Sequence, residues 1–190
     1  FLNNKNNLDI VTSYPKRFNI KLSKKNVRKT DFKSGLSIKR INLFIESNSP
    51  IQRIINSILL AFHGSIKLIR YRYDIVIVTS CPPVLTAFIL TVITKFINTK
   101  LIYYCMDINP EIGIVNGDFK NKFLIKLMLT LDKWTCSNAS KVVVHSNSMK
   151  NTILKRYNQK INPNIEIINS FTVSLKAKKI QKGIVNLIKN

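Results

Sequence analysis

Short apolar runs and longer amphipathic stretches alternate along residues 73–168. Continuous runs rich in β-branched residues are typical of parallel strands covered on both faces, and the stretches between them have the length and periodicity of helices. Strands are predicted at 73–79, 101–105, 141–145 and 165–168, and helices at 84–96, 122–134 and 146–157. Because strands and helices alternate along the chain, the predicted fold class is α/β, a doubly wound and mostly parallel sheet with helices on both sides.

Two serines directly follow predicted strands and are predicted helix N-caps. Ser80 precedes the helix at 84–96, and Ser146 opens the last predicted helix. The pair Pro82-Pro83 suits the first turn of the former, where missing amide donors cost little. The helix predicted at 122–134 carries its apolar residues on one face and lysines elsewhere. Those apolar residues are Phe123, Leu127, Leu131 and Trp134.

The first third of the chain is less regular. Strands are predicted at 8–13 and 37–44, and a helix at 51–69 that Gly64 interrupts. Residues 16–33 carry eight basic side chains against one acid, and we predict that they form an exposed basic loop. Solvation is the default role of such a loop, and binding of phosphate or lipid headgroups is the alternative.

Composition bounds the size of the fold and its partners. With 190 residues, 45% of them hydrophobic, the chain has enough apolar material for one core of domain size. Its 31 basic and 9 acidic side chains give a net charge of +22, which attracts phosphates, nucleic acid or anionic lipid. The most apolar run, 84–94, is shorter than the roughly 20 residues of a membrane-spanning helix, so we predict a buried or membrane-surface helix there.

Cysteine and histidine are too sparse to predict a disulfide framework or a metal site. Cys81, Cys105 and Cys136 are odd in number and widely spaced, without a CxxC pair. His63 and His145 lack the short spacing of metal ligands. We therefore expect reduced thiols in a cytoplasmic protein, and no metal ion.

Polar segments follow the predicted strands at the edge of the sheet where parallel folds bind ligands. The segments are 13–15, 80–83, 107–111 and 146–148. The third is the most informative, because it brings two carboxylates, those of Asp107 and Glu111, into one loop after the strand at 101–105. Either acid suits binding of sugar hydroxyls or service as a base.

The residues of these segments also have a purely structural interpretation, in which they shape the backbone and bind no ligand. Asp107 caps the loop in that case, and Pro110 stiffens it. Plain helix capping is the corresponding interpretation of Ser80 and Ser146. The residues alone leave the functional and the structural interpretation open.

Four segments, in this order and spacing, resemble the N-terminal domain of family 4 glycosyltransferases. They are Tyr73-Asp-Ile-Val-Ile-Val-Thr-Ser-Cys-Pro-Pro83, Tyr104-Cys-Met-Asp-Ile-Asn-Pro-Glu-Ile-Gly113, Ala139-Ser-Lys-Val-Val-Val-His-Ser-Asn-Ser-Met149 and Asn164-Ile-Glu-Ile-Ile-Asn-Ser-Phe171. Each segment is weakly specific alone, and together they are moderately specific. The resemblance is to the bacterial branch that builds capsule, O-antigen and colanic-acid-type polysaccharides.

The resemblance implies a GT-B architecture, in which two Rossmann-like domains face each other across a cleft. It implies retaining transfer of a sugar from a nucleotide-sugar donor, which is a substrate and not a cofactor. This chain would hold the acceptor, a glycan or a lipid-linked sugar at the inner face of the cytoplasmic membrane. Carried onto this sequence, the acceptor-binding residues are Ser80, Asp107, Pro110, Glu111, Ser146 and Asn147. The charge and the helix 84–96 then suggest peripheral attachment to anionic lipid.

The resemblance also suggests domain boundaries. Residues 1–171 are the expected Rossmann-like domain, lacking the family's first strand and glycine-rich loop. Residues 172–190 form a lysine-rich tail that departs from the family pattern. The donor-binding domain with its paired glutamates is expected to be absent from this chain, which leaves the activity of the isolated chain in question.

Two other classes of protein remain as alternatives. A non-catalytic remnant or adaptor would keep the fold and bind a membrane or a partner transferase. A basic nucleic-acid-binding protein is suggested by the charge alone. The sequence contains no helix-turn-helix, RRM or zinc-finger motif, so we expect no nucleic-acid partner.

Overall fold

The computed structural model describes residues 7–14, 28–33, 35–44, 50–81, 84–117, 119–157 and 163–169. Within them the strands are β1 (Leu8–Ser13), β2 (Thr30–Lys33), β3 (Leu36–Ile41), β4 (Ile75–Thr79), β5 (Lys100–Tyr104), β6 (Lys141–Val144) and β7 (Ile165–Ile167). The helices are α1 (Pro50–Tyr71), α2 (Leu85–Phe96), α3 (Glu111–Val115), α4 (Lys122–Asn138) and α5 (Asn147–Leu154).

Strands β4 to β7 form a four-stranded sheet in the order β4-β5-β6-β7, with every neighbouring pair parallel. Helices connect successive strands, as parallel pairing requires. The core of the molecule lies on this sheet, around the buried side chains of Leu101, Tyr103, Val142 and Val144. The predicted α/β fold with a parallel sheet flanked by helices is confirmed.

Strands β1 to β3 form a separate sheet in the order β1-β3-β2. Strand β1 is parallel to β3, and β2 is antiparallel to it. The prediction of an exposed loop over residues 16–33 is therefore wrong at 30–33, because these residues pair with the edge of β3 and Asp31 forms an ion pair with Arg40. Residues 15–27 lie outside the described residues.

Helix α1 runs without a break through Gly64, so the predicted interruption is wrong. A Cβ atom at Gly64 would lie 3.1 Å from Cδ2 of Leu90 on α2. The two helices pack closely along their lengths. Glycine is therefore used here for close helix packing, which offsets its low helix propensity.

Helix α4 packs through a different face from the apolar one seen in the sequence. Its buried residues are Met128, Asp132, Thr135 and Cys136. Phe123 is 75% exposed, and Leu127 and Trp134 are exposed by 43% and 36%. The periodicity correctly predicted the helix, but the apolar stripe marks mostly outer surface. The inward face carries a carboxylate because Tyr103 and a distant arginine bind it.

Two other expectations concern the membrane and the thiols. None of the described helices combines the length and the apolar character needed to cross a bilayer. None of the three cysteines forms a disulfide bond; Cys81 is exposed, and Cys105 and Cys136 are buried.

Candidate functional site

The carboxyl ends of β4, β5 and β6 lie at one edge of the sheet, because these strands are parallel neighbours. Ser80 directly follows β4, the segment 105–110 joins β5 to α3, and Ser146 precedes α5 just after β6. We call this edge the rim. The structure therefore brings together the predicted polar segments after β4, β5 and β6. The prediction that residues 13–15 share this edge is wrong for Ser13 and Tyr14, which lie at the end of β1 in the other sheet.

Ser80 connects β4 to the loop after β5. Its hydroxyl oxygen, in a residue only 1% exposed, accepts hydrogen bonds from the backbone N–H groups of Met106 (3.1 Å) and Asp107 (3.0 Å). Its own N–H donates to the Tyr104 carbonyl at 3.1 Å. The capping interpretation of Ser80 is wrong, since α2 begins after Val84 without a side-chain cap. The predicted role of Pro82-Pro83 lies outside the described residues.

Asp107 stands at the rim with its side chain exposed and its backbone fixed by Ser80. Among the residues that the structure describes, none donates a hydrogen bond to its carboxylate or pairs with it. A carboxylate with both oxygens free accepts hydrogen bonds from hydroxyl groups of a ligand. The use of Asp107 in ligand binding stays a prediction, and the bond to Ser80 fixes the backbone from which its side chain extends.

Glu111, the other acid of the predicted site, is already bound. Arg156 donates from Nε to Oε1 at 2.8 Å and from Nη2 to Oε2 of Glu111. The same Nη2 donates to the Asn109 carbonyl at 2.9 Å. Pro110 is buried between these residues and precedes α3. Glu111 thus stabilises the loop that carries Asp107, and its oxygens are occupied.

A buried carboxylate completes the Arg156 cluster. Asp132 of α4 accepts from Nη1 of Arg156 and from the Tyr103 hydroxyl at 2.7 Å. The side chains of Arg156 and Asp132 are only 7% and 4% exposed. The arginine therefore joins the rim loop, α4 and the end of α5 through two carboxylates. Neither Arg156 nor Asp132 was among the predicted residues.

The electrostatics of this cluster follow from its burial. Burial raises the pKa of the Asp132 carboxyl, and the charge of Arg156 partly opposes this. Burial also raises the pKa of the Tyr103 hydroxyl, to which the negative charge of Asp132 adds. For Arg156, burial alone would lower the pKa, but the bonds to Glu111 and the charge of Asp132 outweigh it and raise the pKa. The guanidinium is therefore charged at any pH at which the protein folds.

Ser146 and Asn147 occupy the third corner of the rim. The Ser146 hydroxyl accepts a hydrogen bond from the Met149 N–H at 3.3 Å and so caps α5, as the structural interpretation predicted. Asn147 is exposed at the start of the helix. Beside them, the His145 ring packs edge-on against Tyr104, with ring centroids 5.1 Å apart.

The described residues contain no cluster of three or more His, Cys, Asp or Glu side chains that would hold a metal ion. The arrangement that they do show is a rim of hydrogen-bonding groups with one free carboxylate. The exposed carboxylate of Asp107 is the group of this rim that can accept hydrogen bonds from the hydroxyl groups of a ligand.

The parallel sheet with flanking helices defines a Rossmann-like α/β domain of the kind that forms one half of a GT-B architecture. The chain is similar in structure to sucrose-phosphate synthase from Thermosynechococcus elongatus, with a TM-score of 0.58 and 13% sequence identity. The similarity covers 86% of this chain and 38% of that one. At this identity the likeness establishes the fold. No protein-family model matches the chain, and no curated protein matches it significantly.

Proposed function

We propose that this chain supplies the acceptor-side half of a glycosyltransferase that moves a sugar from a nucleotide-sugar donor to a hydroxyl group of a glycan or lipid-linked acceptor. The fold supports this proposal, because the similar solved structure is a GT-B glycosyltransferase. The observation that carries it is Asp107, whose backbone is held at the rim by Ser80 and whose carboxylate is exposed to solvent. The match covers 38% of that neighbour's length, so the activity of a whole glycosyltransferase is part of the proposal.

The proposed role of Asp107 is to orient the acceptor. An acceptor hydroxyl that donates to a fixed carboxylate is held in one direction, and orientation of this kind accelerates transfer. A hydrogen bond to a charged group contributes about 1.5 to 3 kcal/mol. Glu111 and Pro110 shape the loop, and Ser146 with Asn147 borders the acceptor on the side of β6.

The proposed pathway is synthesis of bacterial cell-surface polysaccharide with retention of the donor configuration, by an enzyme of family 4. The order of the motifs at 73–83, 104–113, 139–149 and 164–171 supports this finer assignment.

The proposed location is the inner face of the cytoplasmic membrane, on the cytoplasmic side. Phe96 at the end of α2 is 85% exposed and borders a shallow apolar cleft of about 390 Å³ with Trp134 of α4. Lys95 lies 5.9 Å from the centre of the Trp134 ring. Aromatic side chains interleaved with lysines, on a chain of net charge +22, suit attachment to anionic lipid.

A transfer assay on the full-length protein that carries this sequence tests the proposal. The protein is incubated with a panel of radiolabelled nucleotide sugars and with free and lipid-linked glycan acceptors, and the product's anomeric configuration is read by NMR. The expected result is donor-dependent transfer with retention. Absence of transfer with every pair, in a protein that still binds membranes or a partner transferase, would instead favour an adaptor.

A further inference from the structure

A second cleft, of about 590 Å³, lies at the carboxyl ends of β1 and β3. The residues that line it and carry polar groups are Tyr14, Lys29, Lys39, Arg40, Asn42 and His63. Its size falls within the range of roughly 300 to 1,000 Å³ typical of ligand pockets. The cleft belongs to the first sheet and shares no lining residue with the rim.

The walls of this cleft come from the ends of β1 and β3, the approach to β2, and α1. The Tyr14 N–H donates to the Ile41 carbonyl at 3.4 Å, which joins the ends of β1 and β3. The Arg40 N–H donates to the Lys29 carbonyl at 2.8 Å, which fixes the approach to β2. His63 comes from α1, where its Nδ1 lies 2.9 Å from the Leu59 carbonyl. The lining is therefore held by sheet and helix.

The charge of the cleft is positive. Arg40 is paired with Asp31 and also donates to the Arg28 carbonyl at 2.8 Å, so its guanidinium is held in place. Within the described part of the chain, Lys29 and Lys39 have no acid partner. Lys29 and Lys39 thus both border the cleft, and no acidic residue is among the described residues that line it.

The neutral groups in the cleft add hydrogen-bond donors. Tyr14 contributes a hydroxyl and Asn42 a side-chain amide. Cations combined with hydroxyl and amide donors are the groups that bind the oxygens of a phosphate.

We propose that this cleft binds the phosphate group of a phosphorylated ligand, as a monoester or a diphosphate. The phosphate oxygens accept hydrogen bonds from Lys29 and Lys39, with Tyr14 and Asn42 completing the contacts. The group is carried either by a lipid or by a soluble sugar phosphate. This binding requires no donor nucleotide and no sugar transfer, so it stands independently of the proposed enzymatic function.

Calorimetric titration of the chain with inorganic pyrophosphate at physiological ionic strength tests whether the cleft binds a soluble phosphate. The double variant Lys29→Gln/Lys39→Gln removes the two unpaired cations. The control, Lys100→Gln/Lys126→Gln, removes two exposed lysines elsewhere and changes the net charge equally. We expect the cleft variant to weaken binding about tenfold or more, and the control about twofold or less.

A second variant guards against loss of folding. Tyr14→Phe removes only a hydroxyl, and we expect it to weaken pyrophosphate binding about threefold or more, as loss of one hydrogen bond predicts. Amide NMR signals of Lys29 and Asn42 should shift on titration, whereas that of Lys126 should not.

Flotation with phosphatidylcholine vesicles that contain phosphatidic acid tests whether the cleft binds the phosphate of a lipid. Weaker vesicle binding by the cleft variant than by the control assigns a lipid phosphate, and an effect on pyrophosphate alone assigns a soluble one. Equal weakening in both double variants, for both probes, would overturn the proposal, because the net charge of the chain would then explain all anion binding. Absence of binding to both pyrophosphate and the vesicles would also overturn it.

Discussion

Arg156 binds both carboxylate oxygens of Glu111, a residue 45 positions earlier in the chain. The contact joins the end of α5 to the loop at the rim. The two acids of this loop therefore have different roles. Glu111 holds the loop in place, whereas Asp107 faces the solvent with a free carboxylate.

Replacement of Arg156 by Met should destabilise the protein by about 3 to 5 kcal/mol, because it leaves the charge of Asp132 buried without its partner. Urea denaturation measures the change. Lys155→Met, at the exposed neighbouring position, is the matched control and should change stability by less than about 0.5 kcal/mol.

Addition of Asp132→Asn to the Arg156→Met variant should restore part of the loss, since it removes the buried charge. Equal stability of Arg156→Met and wild type would show that the cluster does not stabilise the loop.

Ser80→Ala should free the loop after β5. The N–H groups of Met106 and Asp107 lose a buried acceptor, at a cost of about 1 to 3 kcal/mol. Faster hydrogen exchange at the Asp107 amide measures the local effect. Ser146→Ala is the control, because it removes a helix cap worth about 1 kcal/mol and should leave exchange at Asp107 unchanged. Unchanged exchange in Ser80→Ala would contradict the assigned role of this hydroxyl.

Gly113→Ala should destabilise the segment between α3 and α4. A Cβ atom at this position would lie 2.2 Å from the Phe119 ring, so the ring must move. Helix propensity alone favours alanine by about 1 kcal/mol, whereas overpacking costs about 1 to 3 kcal/mol. The thermal midpoint should therefore fall, and the double variant Gly113→Ala/Phe119→Leu should recover part of it. A rise in the midpoint of Gly113→Ala would show that the ring yields freely.

Asp9 should make the protein sensitive to acid. Burial alone would raise the pKa of its carboxyl, but hydrogen bonds from Tyr73, Ser37 and Lys67, together with the Lys67 charge, lower the pKa below 3.8. The folded chain then binds fewer protons than the unfolded chain, so this stabilisation is complete above pH 3.8 and is lost as the pH falls through the folded pKa.

Asp9→Asn should consequently lower stability at neutral pH by about 1 to 2 kcal/mol and flatten the acid limb of the stability curve. Asp74→Asn, an exposed acid before β4, is the control and should leave the curve unchanged. The measurement is urea denaturation at a series of pH values. Identical acid limbs for Asp9→Asn and wild type would contradict the assigned bonds.

The parallel half of the fold was predictable because β4, β5 and β6 contain continuous apolar runs that alternate with helical periods. The continuity of α1 through Gly64 was not, since the reason is its contact with Leu90 on another helix. Strand β2 was hidden by its basic flanks, and only pairing with β3 orders it. Local pattern predicts an element, and its partners decide its final form.

The candidate site was likewise predictable only in part. The turn at 107–111 was predictable from its position after a strand, yet its partners were not. Arg156 reaches the loop from 45 residues away, and Asp132 is one acid on a helix rich in lysine. The apolar stripe of α4 lies on another face, so the periodicity offered no signal that Asp132 is buried. Which arginine would meet it depends on packing between α4 and α5.

The acceptor KM of the full-length protein, measured for Asp107→Asn beside Asp74→Asn and Glu111→Gln, tests the central claim most directly. Loss of one charge-assisted hydrogen bond to the acceptor predicts that Asp107→Asn lowers kcat/KM about tenfold or more, chiefly through KM. Asp74→Asn should match wild type, and Glu111→Gln should lower stability more than acceptor affinity. Wild-type acceptor kinetics in a folded Asp107→Asn variant would contradict the assignment of this rim as the acceptor site.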